Sequence, residues 1–339
     1  MRAFFLLPSL LALCLPGFVT AQQLPALGAD RTKVSVSGLS SGAFMAVQYS
    51  VAWSSEVMGV GVVAGGLYNC GAVFRAAGAK PFCMDQPWSP ARSWDAVTGF
   101  ARDRVIDPVA NIARQRVYLF SGSRDSVVVP AVMRSVRAFY TLAGVPRAAL
   151  RYVDTVPASH AFVSATIVGG GCGDTTTSFV VSCIDRGIRY DQPYAILNHI
   201  YGLKAHPPAI LSAAPVRFDQ RLYRGRPAML ADSGYVFVPE ACRERGAACA
   251  VHVVFHGCLQ SADTLSSDII YSRLGYNGWA DSNRIIMLYP QVDKTTMMEG
   301  NPFGCWDWWG YSEPFGFQLR HGLQIDAVRR MVARLEQQP

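Results

Sequence analysis

The chain has 339 residues, half of them hydrophobic and 16% charged, with a net charge of +7 at neutral pH. That balance excludes a disordered chain and is ample for a large buried core. The positive charge is mostly arginine and is scattered, with no basic run interleaved with aromatics, so nothing points to a nucleic-acid partner.

Residues 1–21 read as a secretory signal. Arg2 gives a short basic start, Phe4 to Leu15 an apolar run, and Val19, Thr20 and Ala21 the small-residue pattern that precedes cleavage. The run is too short, and too interrupted by Pro8 and Pro16, to span a bilayer well. The expectation is an exported chain, extracellular or periplasmic, starting near Gln22 and without stable membrane association. No repeat or linker divides 22–339, which reads as one catalytic domain without a separate polymer-binding module.

Eight cysteines remain once Cys14 leaves with the signal: Cys70, Cys83, Cys172, Cys183, Cys242, Cys249, Cys258 and Cys305. An even number in an exported chain implies disulfides. Many connectivities are open. Short loops suggest Cys70–Cys83, Cys172–Cys183 and Cys242–Cys249, which leaves Cys258–Cys305. No CxxC pair or tight Cys/His cluster suggests a metal, and none is expected.

Apolar, β-branched runs predict buried strands at Val34–Ser37, Val57–Val63, Arg116–Phe120, Ala149–Val153, Ala250–Phe255 and Arg284–Tyr289. Helical stretches fall at Gly42–Val51, Pro130–Tyr140 and Ile325–Leu335. This alternation argues for an α/β fold with a mostly parallel sheet flanked by helices.

The first strand runs into GLSSG, Gly38 to Gly42, and then into a helix. That is the setting of a nucleophile elbow, in which a tight turn exposes the central serine, Ser40, at a helix N-terminus. The backbone N–H of Ser41 is placed as one oxyanion donor. A serine nucleophile needs a base and an orienting acid. Asp125 lies just past the strand that ends at Phe120, and His160 follows the next strand, in DTVPASHAF. Serine, acid, histidine is the chain order of α/β-hydrolases.

The position of Ser40 is unusual, because an ordinary α/β-hydrolase places several strands before its elbow. Here the His-Gly element that supplies the second oxyanion N–H comes after the triad, in VVFHGCLQ. A circular permutation of the sheet explains this and makes the Cys258 N–H the second donor. His256 then serves through the backbone of its motif and not through its ring.

GLSSG, SGSRD (Ser121 to Asp125), His160, FHGC (Phe255 to Cys258) and NPFGCW (Asn301 to Trp306), in that order, resemble the single-domain extracellular poly(3-hydroxybutyrate) depolymerases. The resemblance covers about Thr32 to Tyr311. It implies a circularly permuted α/β-hydrolase with Ser40 as nucleophile, His160 as base and Asp125 as acid. It also implies oxyanion donors at Ser41 and Cys258, no cofactor, and a tryptophan lining the substrate crevice. The loop CWDWWGY offers Trp306, Trp308 and Trp309 for that place, and aromatics there could grip an aliphatic ester chain. The expected substrate is a polyester or its oligomers, with adsorption left to the catalytic domain's own surface. Amorphous polymer and oligomers are expected over crystalline material. The rival readings are an exported esterase acting on feruloyl, acetyl, synthetic-polyester or small esters, and a catalytically silent polymer-binding protein.

Overall fold

The computed structural model describes residues 22–167, 170–225 and 228–339. The expected secretory signal, 1–21, lies outside the described residues.

The chain opens with strand β1 (Val34–Leu39), helix α1 (Ser41–Ala52) and β2 (Val57–Val63). Helices α2 (Cys70–Cys83, kinked at Arg75) and α3 (Pro90–Arg102) lead to β3 (Arg116–Phe120), α4 (Pro130–Leu142) and β4 (Leu150–Val153). Two short pairs follow, β5 (Phe162–Val163) with β6 (Val180–Val181) and β7 (Ile184–Asp185) with β8 (Ile188–Arg189). Then come α5 (Gln192–Tyr201), β9 (Val216–Asp219), β10 (Ser233–Phe237), β11 (Ala250–Phe255), α6 (Ala262–Leu265), α7 (Tyr276–Ser282), β12 (Ile285–Tyr289) and α8 (Leu323–Glu336).

Eight strands form one sheet in the order β4-β3-β2-β1-β11-β12-β10-β9. The six from β4 to β12 run parallel, β10 pairs antiparallel with β12, and β9 pairs antiparallel with β10. The first strand of the chain therefore sits mid-sheet, and every strand after residue 210 lies on one side of it. This is the circularly permuted α/β-hydrolase arrangement.

The central strands are buried because both faces of the sheet are covered. All residues of β1, β11 and β12 are buried. Tyr49 of α1 packs against Phe255, on the face opposite His252. α5 and α7 cover the face that carries Ser35, Ser37 and His252. There the buried His252 ring bridges the two hydroxyls, Ser35 Oγ at 2.6 Å and Ser37 Oγ at 2.8 Å. Burial pulls its pKa down to about 3, so the ring is neutral.

Four disulfides join Cys70 to Cys83, Cys172 to Cys183, Cys242 to Cys249 and Cys258 to Cys305. Among the described residues, no helix is long and apolar enough to cross a membrane, and no group of three His, Cys, Asp or Glu is placed to hold a metal ion.

The strands expected at the sheet centre lie within a residue or two of their observed bounds. The antiparallel strands β9 and β10 have no counterpart in the sequence reading. They are short and carry Arg217, Asp219 and Ser233 in place of a continuous apolar run.

Candidate active site

Ser40 stands between β1 and α1 with φ 81° and ψ −114°. A non-glycine residue in that half of the map costs about 1–3 kcal/mol and persists only where its surroundings fix it. Here the Ser40 N–H donates to Val63 O at 3.1 Å, and Ser40 O accepts from Phe44 N–H at 2.9 Å. The turn closes because its two glycines lack side chains. A Cβ on Gly38 would lie 2.4 Å from the Gly42 carbonyl, and one on Gly42 only 2.3 Å from Phe255 O. Ser40 Oγ is thereby presented at the N-terminus of a twelve-residue helix, where the dipole favours negative charge.

Two neighbouring loops bring up the partners. The loop after β3 and the loop after β4 are laced by Ser123 N–H to Val156 O and Arg124 N–H to Ala158 O, at 2.9 and 3.1 Å. His160 Nδ1 donates to Asp125 Oδ2 at 2.9 Å, and His160 Nε2 accepts from the Ser40 hydroxyl at 2.9 Å. This tautomer follows from the network, since an ionised carboxylate can only accept. Asp125 Oδ1 accepts from the Val127 and Val128 N–H groups at 2.8 and 2.9 Å, so the carboxylate cannot rotate freely. All three residues are nearly buried, at 6%, 5% and 8% exposure for Ser40, Asp125 and His160. Their electrostatic interactions are therefore stronger than they would be in water. Phe179 meets the His160 ring edge-on, and Ser159 N–H bonds Cys172 O, which ties this wall to the Cys172–Cys183 bridge.

On the other side of Ser40, β11 leads into His256, Gly257 and Cys258. The close approach of Gly42 to Phe255 O and His256 O sets this loop against the elbow. Gly257 N–H donates to Gln260 Oε1 at 2.6 Å and Leu259 N–H to Phe303 O at 2.7 Å. The Cys258 N–H between them has no acceptor among the described residues, and neither does the N–H of Ser41 at the head of α1.

The Cys258–Cys305 bridge joins this loop to the aromatic one. Trp306 N–H donates to Ser41 Oγ at 3.3 Å, and its ring is fully buried against Phe255. Trp308 stacks on Phe44 at 4.3 Å, and Trp309 is half-buried. The loop is folded around Asp307. Its Oδ1 accepts from the N–H groups of Trp309, Gly310 and Tyr311, and its Oδ2 from Ser312 N–H and Oγ–H. Burial nonetheless pushes its carboxyl pKa upward, against those bonds.

Sequence reasoning did not reach Phe179, Gln260, Phe303 or Asp307. Gln260 lies inside the FHGCLQ stretch and Asp307 between the tryptophans, but a residue that holds backbone has no characteristic spacing. Of the other histidines, His252 lies within β11 with its ring bonded to Ser35, and His199 bonds Ala149 O.

No protein-family model matches the chain. A poly(3-hydroxybutyrate) depolymerase of Delftia acidovorans is 39% identical over 334 residues, covering 96% of this chain and 64% of its own length. A polyhydroxybutyrate depolymerase of Talaromyces funiculosus is 35% identical over 331 residues, covering 94% of this chain and 93% of its own. The chain belongs to the poly(3-hydroxybutyrate) depolymerase family. Two solved structures agree, each with a TM-score of 0.81 and covering 93% of this chain and 98% of its own. One is a PHB depolymerase from Penicillium funiculosum, 31% identical. The other is a serine-to-alanine PHB depolymerase complexed with an R3HB trimer, 30% identical. The chain thus spans nearly all of the Talaromyces relative and of both solved structures, and 64% of the Delftia one.

Proposed function

We propose that the protein is a secreted serine esterase that hydrolyses poly(3-hydroxybutyrate) or its oligomers. The observation that carries this is the hydrogen-bonded line Ser40 Oγ, His160 Nε2, His160 Nδ1, Asp125 Oδ2 on a strained elbow. Family membership supports the substrate, as does the relative complexed with an R3HB trimer, a fragment of that polyester. Four disulfides support an oxidising compartment and hence export. Residues 22–339 act as a single catalytic domain.

In this mechanism His160 Nε2 takes the Ser40 proton as Oγ attacks the ester carbonyl. Asp125 holds the ring in the required tautomer and stabilises the imidazolium. The tetrahedral oxyanion is held by the N–H groups of Ser41 and Cys258. Collapse expels the alcohol end of the departing hydroxybutyrate, protonated by His160. Water, deprotonated by the same ring, then attacks the acyl-Ser40 ester and frees the acid. The acyl chain is gripped by the aromatic loop. Trp309 keeps exposed surface, Trp308 meets it edge-on while stacking on Phe44, and the buried Trp306 backs on to Ser41.

The test is product release from amorphous polymer and, in parallel, from short oligomers, with Ser40→Ala as control. Ser40-dependent release of hydroxybutyrate units from polymer is the expected result. Turnover of oligomers alone would make the protein an oligomer hydrolase. Activity on feruloyl or simple esters with no release from either would overturn the substrate assignment.

A further inference from the structure

The oxyanion donor proposed at Cys258 is a backbone N–H, so its aim depends on whatever fixes the peptide that carries it. Residues 257–260 form a tight turn closed by Gln260 N–H to Gly257 O at 3.3 Å, with Leu259 at φ 64°. A leucine in the left-handed region is unfavourable, and such a turn stays put only when its surroundings over-determine it.

Two fully buried side chains do this. The His256 ring turns back so that Nδ1–H donates to Gly257 O at 2.7 Å, while Nε2 accepts from Val292 N–H at 3.1 Å. A carbonyl can only accept and an amide N–H can only donate, so both roles, and the neutral tautomer, are fixed. Burial keeps the ring neutral, pulling its pKa to about 4. Gln260 accepts from Gly257 N–H at 2.6 Å through Oε1. Its Nε2 donates to Ser178 O at 2.6 Å and Phe179 O at 3.3 Å, on the wall that packs against the His160 ring.

The peptide between Gly257 and Cys258 is planar and trans, so its C=O and N–H point in opposite directions. A ring that holds the C=O on one side therefore aims the N–H on the other. We propose that His256 and Gln260 are positioning residues for the oxyanion hole: together they clamp Gly257 so that the Cys258 N–H faces the reacting carbonyl, and Gln260 ties that aim to the wall beside His160. This gives the His256 ring a part that the sequence reading denied it. The inference rests on the oxyanion hole of the proposed mechanism.

A thionoester separates aim from general integrity, because its C=S sulfur is a poor hydrogen-bond acceptor and gains little from an oxyanion donor. The probes are 4-nitrophenyl butyrate and 4-nitrophenyl thionobutyrate, with the mature protein and the variants His256→Phe, His256→Asn and Gln260→Met. Wild type should turn over the ester at least about tenfold faster than the thionoester. His256→Phe should lower ester kcat by about tenfold to a hundredfold, with KM and thionoester rate nearly unchanged, so the ratio collapses. His256→Asn, whose amide nitrogen can still donate to Gly257 O, should recover much of the loss. Gln260→Met should lower the ratio less than His256→Phe, and it decides the matter with His256→Asn if the phenylalanine variant does not fold. A wild-type ratio that is high and unchanged in the variants, with both substrates slowed alike, would make these residues structural only and overturn the inference. A wild-type ratio near one would instead remove the oxyanion hole on which the inference depends.

Discussion

Of the two loops that flank Ser40, the one carrying His160 contributes a side chain and the one carrying Cys258 contributes a backbone N–H. On the first side the working atoms are a hydroxyl, an imidazole and a carboxylate, each at the end of a parallel strand and linked at 2.9 Å. On the second side the side chains do no chemistry in the proposed mechanism. His256, Gln260 and the Cys258–Cys305 bridge hold a strained turn in place. A side-chain atom can be deleted outright, whereas a backbone donor can only be loosened. Substitutions on the two sides should therefore differ in size and in kind.

The largest effects fall on the side-chain half. Ser40→Ala and His160→Ala should each reduce kcat by roughly 10⁴- to 10⁶-fold, and the double variant should be no worse than either, because the two act as one unit. Unchanged circular dichroism and melting temperature would show that the fold survives. Additive losses in the double variant would break the comparison. Asp125→Asn should come next, at about 10⁴-fold. Its amide can turn an N–H towards Nδ1 and drive the ring proton to Nε2, where it can no longer accept from Ser40.

Effects on the backbone half should be smaller and mixed with stability. Removing the Cys258–Cys305 bridge with paired alanines opens a loop of sequence separation 47. The chain-entropy argument puts the loss at about 4 kcal/mol, readable in urea unfolding. The ester/thionoester ratio should fall in the same variant. A full stability loss with the ratio intact would mean that the bridge supports the fold but not the aim of the Cys258 N–H.

The smallest effect is on pH dependence. Burial holds His256 at about 4 and His252 at about 3, against an ordinary 6.5. Between those values the unfolded chain binds protons that the folded one refuses, so stability rises with pH and is lost as pH falls from about 6.5 towards 4. Urea midpoints for wild type should decline across that window. His256→Phe, which has one fewer such group, should decline less steeply. Parallel curves for the two proteins would contradict a buried neutral His256.

The same division explains what the sequence revealed. β1, β2, β3 and β11 are legible because strands covered on both faces are dense in apolar and β-branched residues, Ser35, Ser37 and His252 being the polar exceptions. Ser40, Asp125 and His160 could be named because a nucleophile, an acid and a base that follow β1, β3 and β4 in hydrolase order form a pattern. β9, at the sheet's edge, and β10 beside it are interrupted by Arg217, Asp219 and Ser233 and leave no such run. α2 is broken at Arg75, and α5 begins at Gln192 and Pro193, so neither shows a long clean periodicity. Gln260 and Asp307 were invisible for a further reason. Gln260 bonds Ser178 and Phe179, which come near it only after the loops have folded, and Asp307 bonds N–H groups within five residues of itself but sits inside a run of aromatics that hides the turn.

The central claim is that one hydroxyl, Ser40 Oγ, does the chemistry with His160 behind it. A serine-directed phosphonate ester followed by intact-mass and peptide analysis tests it most directly. The account predicts one adduct per chain, on the peptide containing Ser40, formed in step with loss of ester hydrolysis. The adduct should be absent in Ser40→Ala and strongly slowed in His160→Ala. An adduct on another serine, or full labelling in His160→Ala, would contradict the account.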